Sequence, residues 1–176
     1  MDENEEQRVA EWYNTLSPSY DELYSEEQFL KHKTVIEFTR NEKFKILVDV
    51  GCGSGTFLQS ARQLYEYAVG IDLSIDMLRA AKKKIVGNVD LILATSRTLP
   101  IKDQTADGLV SISTLKADSG LPPLLNEMRR IGRKNGLLAV TLLQEPGSEI
   151  PSPIADSEQS MILSDHEKLY FLRLNK

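Results

Sequence analysis

The sequence predicts an α/β fold, a doubly wound, mostly parallel sheet with an N-terminal helical cap and a C-terminal antiparallel hairpin. Three observations lead there. From residue 46 onward, short apolar runs rich in β-branched residues alternate with segments of helical period. Two of those runs, KILVDV (45–50) and AVGIDL (68–73), are almost wholly apolar, as strands buried on both faces of a parallel sheet are. Directly after the first, GCGSGT spaces three glycines one residue apart, which marks a tight turn from strand into helix.

Each element can be justified in chain order. Ser25 and Gln28 fit a capping box opening a helix to about residue 40, with Phe29, Lys33 and Ile36 spaced to share a face; the first forty residues are the cap. After the glycines, TFLQSARQLYEY puts Phe57, Leu58, Ala61, Leu64 and Tyr65 on one helical face, so strand, turn, helix and strand form a right-handed crossover. Ser74 caps the next helix, whose apolar face carries Met77, Leu78, Ala81 and Ile85 and whose end carries Lys82, Lys83 and Lys84 before Gly87 and Asn88. VDLILA (89–94) and DGLVSIS (107–113) are strands three and four, joined by a polar link too short for a full helix. Leu124, Leu125, Met128 and Ile131 mark a helix from near Pro122 to Asn135 and Gly136, ahead of the fifth strand LLAVTLL. EPGSEIPSPIADSEQ has three prolines and almost no apolar period; SMIL and KLYFLRL then pair as a hairpin through SDHE. No good helix separates strands five and six, so a loop or a partner covers part of that sheet face. The expected organisation is one domain, with a cap (1–40), a core (41–143) and a C-terminal loop and hairpin (144–176).

Composition excludes several classes. With 176 residues, 41% hydrophobic and 27% charged, the chain reads as an ordinary globular protein. The acidic start MDENEEQ is unlike a secretory signal and no apolar run approaches a membrane span, so the expectation is a cytoplasmic protein without membrane insertion. One cysteine, Cys52, and two distant histidines, His32 and His166, argue against a disulfide framework and against a metal site. A formal charge of -5 gives no strong nucleic-acid signal.

The candidate site is the glycine turn and two carboxylates. Gly51, Gly53 and Gly55 let the main chain approach a ligand closely, and the helix beyond offers unpaired N–H groups. Thr56 stands where a dinucleotide fingerprint has its third glycine, which lowers that reading. Asp72 closes strand two, where a carboxylate accepts from ribose hydroxyls. Asp49 lies inside an apolar strand and is costly there unless donors satisfy it.

DVGCGSG, then GIDLSxxML, then TSRTLPIKDQTAD together resemble the successive motifs of class I S-adenosylmethionine-dependent methyltransferases, specifically the type 11 group that includes the ubiquinone and menaquinone C-methyltransferases. The resemblance covers residues 46–143 and implies a Rossmann-like core binding S-adenosylmethionine. It implies that Gly51, Cys52, Gly53 and Gly55 run beside the methionine and ribose, that Asp49 holds the amino group or the loop, and that Asp72 takes the ribose. Leu73 and Met77 would flank the adenine, and Thr95 and Ser96 would meet its edge. Thr95 stands where the family usually has an aspartate; its hydroxyl can accept one bond but carries no charge, which implies a cofactor affinity lower by about 1 kcal/mol. The stretch YNTLSPSYDELY resembles the tyrosine-rich start of that group, making Tyr13 and Tyr20 candidates to lie over the cofactor, against the alternative of plain aromatic packing that also holds for Trp12.

Substrate and catalytic groups are less defined. VSISTLKAD lacks the N-P-P-Y motif of amino and amide methylases, and Ser111, Ser113, Thr114 and Lys116 fall where strand four would face the methyl group; no catalytic base is assigned. The methyl acceptor is unidentified, being either small or presented by a second protein, and similarity to short archaeal-type relatives suggests a small zinc-ribbon activator. Cys52 reads as a small filler; Lys82, Lys83 and Lys84 and the Arg129, Arg130, Arg133 and Lys134 cluster read as solvated helix ends; His32 and His166 have no constellation around them. A non-catalytic scaffold of this fold and an NAD-dependent oxidoreductase are the rival readings.

Overall fold

The structure is a computed structural model that describes residues 3–114, 121–143, 154 and 159–174. Seven strands form one sheet in the order β3-β2-β1-β4-β5-β7-β6. β1 (Phe44–Val50), β2 (Tyr65–Asp72), β3 (Val89–Leu93), β4 (Ala106–Ser111) and β5 (Gly132–Leu143) run parallel. β6 (Gln159–Ser164) and β7 (Glu167–Arg173) form an antiparallel hairpin joined to β5 through β7. The mostly parallel sheet and its hairpin are therefore as the sequence predicts, and the chain order reverses beside β1, so the carboxyl ends of β1 and β4 open a crevice between them.

Buried residues fill both faces, because β1 from Leu47 to Val50, β4 from Gly108 to Ser111 and β5 from Gly136 to Leu142 are buried at every position. On one face α5 (Leu121–Ile131) buries Leu121, Leu124, Leu125, Met128 and Ile131. On the other, α2 (Tyr20–Phe38) and α3 (Thr56–Ser60) pack Val35, Phe57 and Leu58 against Leu47, Ala139 and Phe171. α4 (Ile75–Lys84) is capped by Ser74, whose hydroxyl accepts from Met77 N at 3.1 Å, and it buries Met77, Leu78 and Ala81 as predicted.

Four expectations need correction. The predicted helix over 56–67 stops at Ser60 and continues as a single 3-10 turn, Arg62–Leu64. The apolar positions Phe57, Leu58, Ala61, Leu64 and Tyr65 are all buried, but Tyr65 already begins β2 and donates its hydroxyl to Leu58 O at 2.9 Å, so strand pairing ends the helix early. The fifth helix ends at Ile131 rather than Asn135: β5 starts at Gly132, with an irregularity opposite Ala106 and Gly108 that absorbs the positive φ of Asn135. The cap is two helices, α1 (Glu3–Leu16) and α2, separated by the turn at residues 17–19, and Ser25 lies inside α2 instead of capping it. The face α2 buries runs through Lys31, His32 and Val35, leaving Phe29 63% exposed and Lys33 exposed; of the predicted row Phe29, Lys33 and Ile36, only Ile36 packs against the core.

Candidate functional site

The three glycines are bare for three different reasons. Each has a positive φ, 78°, 52° and 77° for Gly51, Gly53 and Gly55. A Cβ on Gly51 would lie 2.3 Å from Thr114 Oγ1, and one on Gly55 would lie 2.5 Å from Ile85 Cδ1, so these two admit their protein neighbours. A Cβ on Gly53 would meet nothing within 4 Å, and of the three only there does the missing side chain face open space. Gly51 N and Cys52 N both donate to Ile71 O, at 2.7 and 3.0 Å, which moors the turn to the end of β2.

Asp72, at the end of β2, ties two elements together. Its Oδ2 accepts from Gly53 N and its Oδ1 from Ser74 N, each at 2.8 Å. Burial raises its pKa, opposed by the backbone N–H groups of Ser74, Gly53 and Leu73. Asp49 is the opposite case. It is 2% exposed, and its Oδ2 has no hydrogen-bond partner. Burial first and the charge of Asp72 second push its pKa up to about 8. An orphaned carboxylate oxygen beside a bare turn is an unmet demand for a donor, best met by a cation.

Two adjoining cavities flank the turn and share Tyr20, Gly51, Gly53 and Ile112 in their linings. The larger, about 580 Å³, is floored by Asp72, Leu73, Met77 and Ser96, reaches Ser113 and Thr114 after β4, and is roofed by Arg8, Trp12 and Tyr13 of α1. The smaller, about 370 Å³, runs between α2 and α3 and contains Asp49, Cys52, Ser54, His32 and Phe57. Tyr20 sits at the junction, in a ladder with Tyr13 (ring centroids 6.2 Å apart) and Tyr24 (5.0 Å). Burial, then neighbouring Tyr13 and Asp72, raise the Tyr20 pKa, so its phenol stays neutral.

Side chains of the cap fasten it over these cavities. Asn14 Oδ1 accepts from Ser74 Oγ at 2.7 Å, and Glu6 Oε1 accepts from Thr95 Oγ1 at 2.7 Å, holding α1. Asp21 accepts from Ser54 Oγ at 2.5 Å and pairs with Lys84, holding the start of α2 to the turn and to α4. Further along, Lys31 Nζ, with its side chain 6% exposed, lies 2.5 Å from Glu167 Oε2, whose side chain is 2% exposed, and donates to Ser113 Oγ at 2.7 Å.

Of the residues singled out in the sequence, Tyr20, Asp49, Gly51, Cys52, Gly53, Asp72, Leu73, Met77, Ser96 and Ser113 come together around the two cavities. Gly55 packs against α4, and Thr95 stands outside the linings with its hydroxyl turned to Glu6. Ser111 Oγ is buried without a partner and does not line either cavity, while Lys116 lies outside the described residues. The Cys52 thiol is buried, with a pKa raised by burial, then Asp49 and Asp72, which suits a filler and not a nucleophile. Lys84 is a pairing partner of Asp21, not a solvated end, and Arg130 clamps the loop before β4 through Leu99 O at 2.9 Å, Ile101 O at 2.8 Å and Asp103. Sequence reasoning missed Glu6, Asn14, Asp21, Lys31, His32 and Glu167. Among the described residues no helix is long and apolar enough to cross a membrane, and no group of three or more metal-ligating side chains converges.

Comparison with known proteins agrees with this geometry. Residues 48–140 match the family model described as a methyltransferase domain. The chain is 30% identical over 135 residues to the malonyl-[acyl-carrier protein] O-methyltransferase of Hamiltonella defensa, covering 77% of this chain and 52% of that one. It is 27% identical over 157 residues to the demethylmenaquinone methyltransferase of Listeria welshimeri, covering 83% and 66%. The chain thus spans about half the length of the first of these relatives. A solved complex between the Haloferax volcanii Trm112 methyltransferase activator and a methyltransferase contains a similar fold, with a TM-score of 0.68 and 19% identity over 74% of this chain and 59% of that one.

Proposed function

Because the chain belongs to the methyltransferase domain family, matched over residues 48–140, we propose that it transfers a methyl group from S-adenosylmethionine to an acceptor within the paired cavities. The observation that carries this reading is the orphaned Oδ2 of Asp49, buried beside the one glycine, Gly53, whose missing side chain opens onto empty space. The ammonium of an amino-acid tail would satisfy that oxygen and draw the Asp49 pKa back down. Asp72 has lone pairs left after Gly53 and Ser74 with which to accept from ribose hydroxyls. Leu73 and Met77 would flank the adenine, Ser96 would meet its edge where Thr95 does not, and Tyr20 would cover the junction.

When bound, the sulfonium supplies a methyl carbon that already carries a good leaving group. The chain then has to hold two reactants in line and keep water out. Tyr13, Tyr20 and Trp12 exclude water from above, and Gly51 and Gly53 set the floor. Titration calorimetry tests the reading: S-adenosylmethionine and its demethylated product should bind and NAD should not. Binding of NAD alone would make the chain an oxidoreductase; binding of none at physiological concentration would make it a scaffold.

A partner-assisted form of the same reading is favoured by the sheet edges. Leu93 on β3 is 54% exposed and Ile162 on β6 is 75% exposed, which suits a partner that adds a strand. That a similar fold occurs in the Haloferax complex with a methyltransferase activator supports an activator subunit, and the sequence resemblance suggests a small zinc-ribbon one. If the isolated chain is soluble and active and nothing small co-purifies from its source cell, this form is dropped.

A further inference from the structure

We propose that the groove between α2 and α3 is the acceptor site, and that His32 faces the acceptor there, accepting the hydrogen bond of a neutral hydroxyl and taking its proton as the methyl arrives. This rests on the methyltransferase reading, since it presumes a donor whose adenosine fills the larger cavity and whose amino-acid tail reaches Asp49 past Gly51 and Gly53, which leaves the stretch of the groove along α2 to the acceptor. The groove is the smaller cavity. It follows α2 from Tyr20 to His32, a stretch of about 18 Å at the rise of an α-helix. It meets the glycine turn at Gly51 and Gly53, the two glycines that also line the larger cavity.

The walls select for an apolar, flat body. Tyr20, Tyr24 and Phe29 line the α2 side and Phe57 the α3 side, with Ile112, just after β4, completing the lining. The His32 ring stands edge-on to Phe57, centroids 5.5 Å apart, and is 8% exposed. Among the described residues no hydrogen bond reaches its imidazole. An imidazole in a cavity wall without a partner has one nitrogen to donate and one to accept, both unspent.

Charge selects the head group. The charged groups around His32 are Lys31 on its own helix, Asp49 from β1, and Asp21 with Lys84 at the groove's mouth. Both lysines are paired, Lys31 with Glu167 and Lys84 with Asp21, so the groove offers an anionic acceptor no free cation. Burial, and then Lys31, lower the His32 pKa to about 4, which keeps the ring neutral and able to accept. That weak basicity also separates hydroxyl from amine. A methylated amine keeps its extra proton firmly, whereas an oxygen gaining a third bond becomes a strong acid and releases its proton to a weak base. The balance is closed: the S–CH3 bond breaks, the O–CH3 bond forms, the hydroxyl proton passes to the imidazole, and the positive charge moves from sulfur to His32. The imidazolium then returns the proton to water.

The test needs no knowledge of the natural acceptor. His32 and His166 are the only histidines and Trp12 the only tryptophan, so imidazole NMR signals report the groove and indole fluorescence reports the larger cavity. Full-length protein is saturated with S-adenosylhomocysteine and titrated with naphthol, naphthoate and naphthylmethylammonium, which share one ring body. The expected result is that naphthol moves the His32 signal and not that of exposed His166, and binds at least tenfold tighter than the two ions. His32→Leu, which keeps an apolar wall but has no acceptor, should weaken naphthol about fivefold, the size of one ordinary hydrogen bond, without altering the Trp12 response. Gln28→Trp, which fills the groove from its α2 wall, should abolish naphthol binding. The proposal is overturned if naphthoate or the ammonium binds best, if naphthol leaves the His32 signal in place, or if Gln28→Trp binds naphthol as the parent does. A silent Trp12 with S-adenosylhomocysteine would instead remove the methyltransferase reading beneath it.

Discussion

Gly53 donates its backbone N–H to Asp72 Oδ2 at 2.8 Å, so the bare turn after β1 and the carboxylate that ends β2 move as one unit. Asp72→Ala should therefore do two things at once. It removes the proposed ribose acceptor and frees Gly53 N and Ser74 N. Calorimetry should show at least about a tenfold loss of S-adenosylmethionine affinity, the worth of one hydrogen bond to a charged group. Unchanged affinity would end the cofactor assignment.

Asp49 predicts an unusual pH profile. Its folded pKa, about 8, stands above its ordinary value of 3.8, so the folded chain holds a proton that the unfolded chain releases in that interval. Stability from this group is full below about 3.8, declines as pH rises, and is gone above about 8. Asp49→Asn should flatten that slope and raise Tm near neutrality, by roughly 2–4 °C for each kcal/mol recovered. The same variant should bind S-adenosylmethionine more weakly. In the parent protein, binding at pH 7 should release a proton, measurable as a buffer-dependent heat.

The glycines should separate by substitution. Gly53→Ala costs roughly 1–2 kcal/mol of backbone strain at its positive φ yet meets no atom, so the protein should fold and lose cofactor affinity. Gly51→Ala drives a methyl into Thr114 and should lower Tm sharply. Adding Thr114→Ala should restore much of the Tm lost by Gly51→Ala and none of the cofactor affinity lost by Gly53→Ala. Equal Tm losses in the two single variants would refute the separate roles.

Lys31 and Glu167 make the buried bond between cap and hairpin. Lys31→Met leaves an uncompensated carboxylate 2% exposed, a cost of about 3–5 kcal/mol, or roughly 10 °C in Tm. The double variant Lys31→Met with Glu167→Leu should recover most of that, because two apolar chains replace two desolvated charges. A double variant as unstable as the single one would mean the pair does more than balance charge.

What the sequence made legible follows the range of the interactions. β1, the glycine turn and β2 declare themselves because strand, turn and carboxylate are set by neighbours in the chain, and Ser74 caps α4 as its position promises. The cap was legible only as helical. Asp21, Asn14 and Lys31 work through partners 33, 60 and 82 residues away, Ser54, Ser74 and Ser113, and no local period encodes such pairs. The buried row of α2 was misread for the same reason: Phe29 reads as core by hydrophobicity, while His32 and Lys31 are buried because a cavity and a carboxylate receive them. Thr95 and Ser96 are adjacent, and only the fold shows that Ser96 alone reaches the cavity.

The two N-terminal helices are fastened unequally. α2 is pinned by a buried ion pair and by the contacts of Asp21, whereas α1 is held by partly exposed polar contacts at two residues, Glu6 with Thr95 and Arg97, and Asn14 with Ser74 and Asp76 N. A molecule enclosed beneath both escapes where the fewest bonds must open. For a donor held as proposed above, the larger chamber is therefore expected to empty on the α1 side, with the turn at residues 17–19 as the joint that has to give.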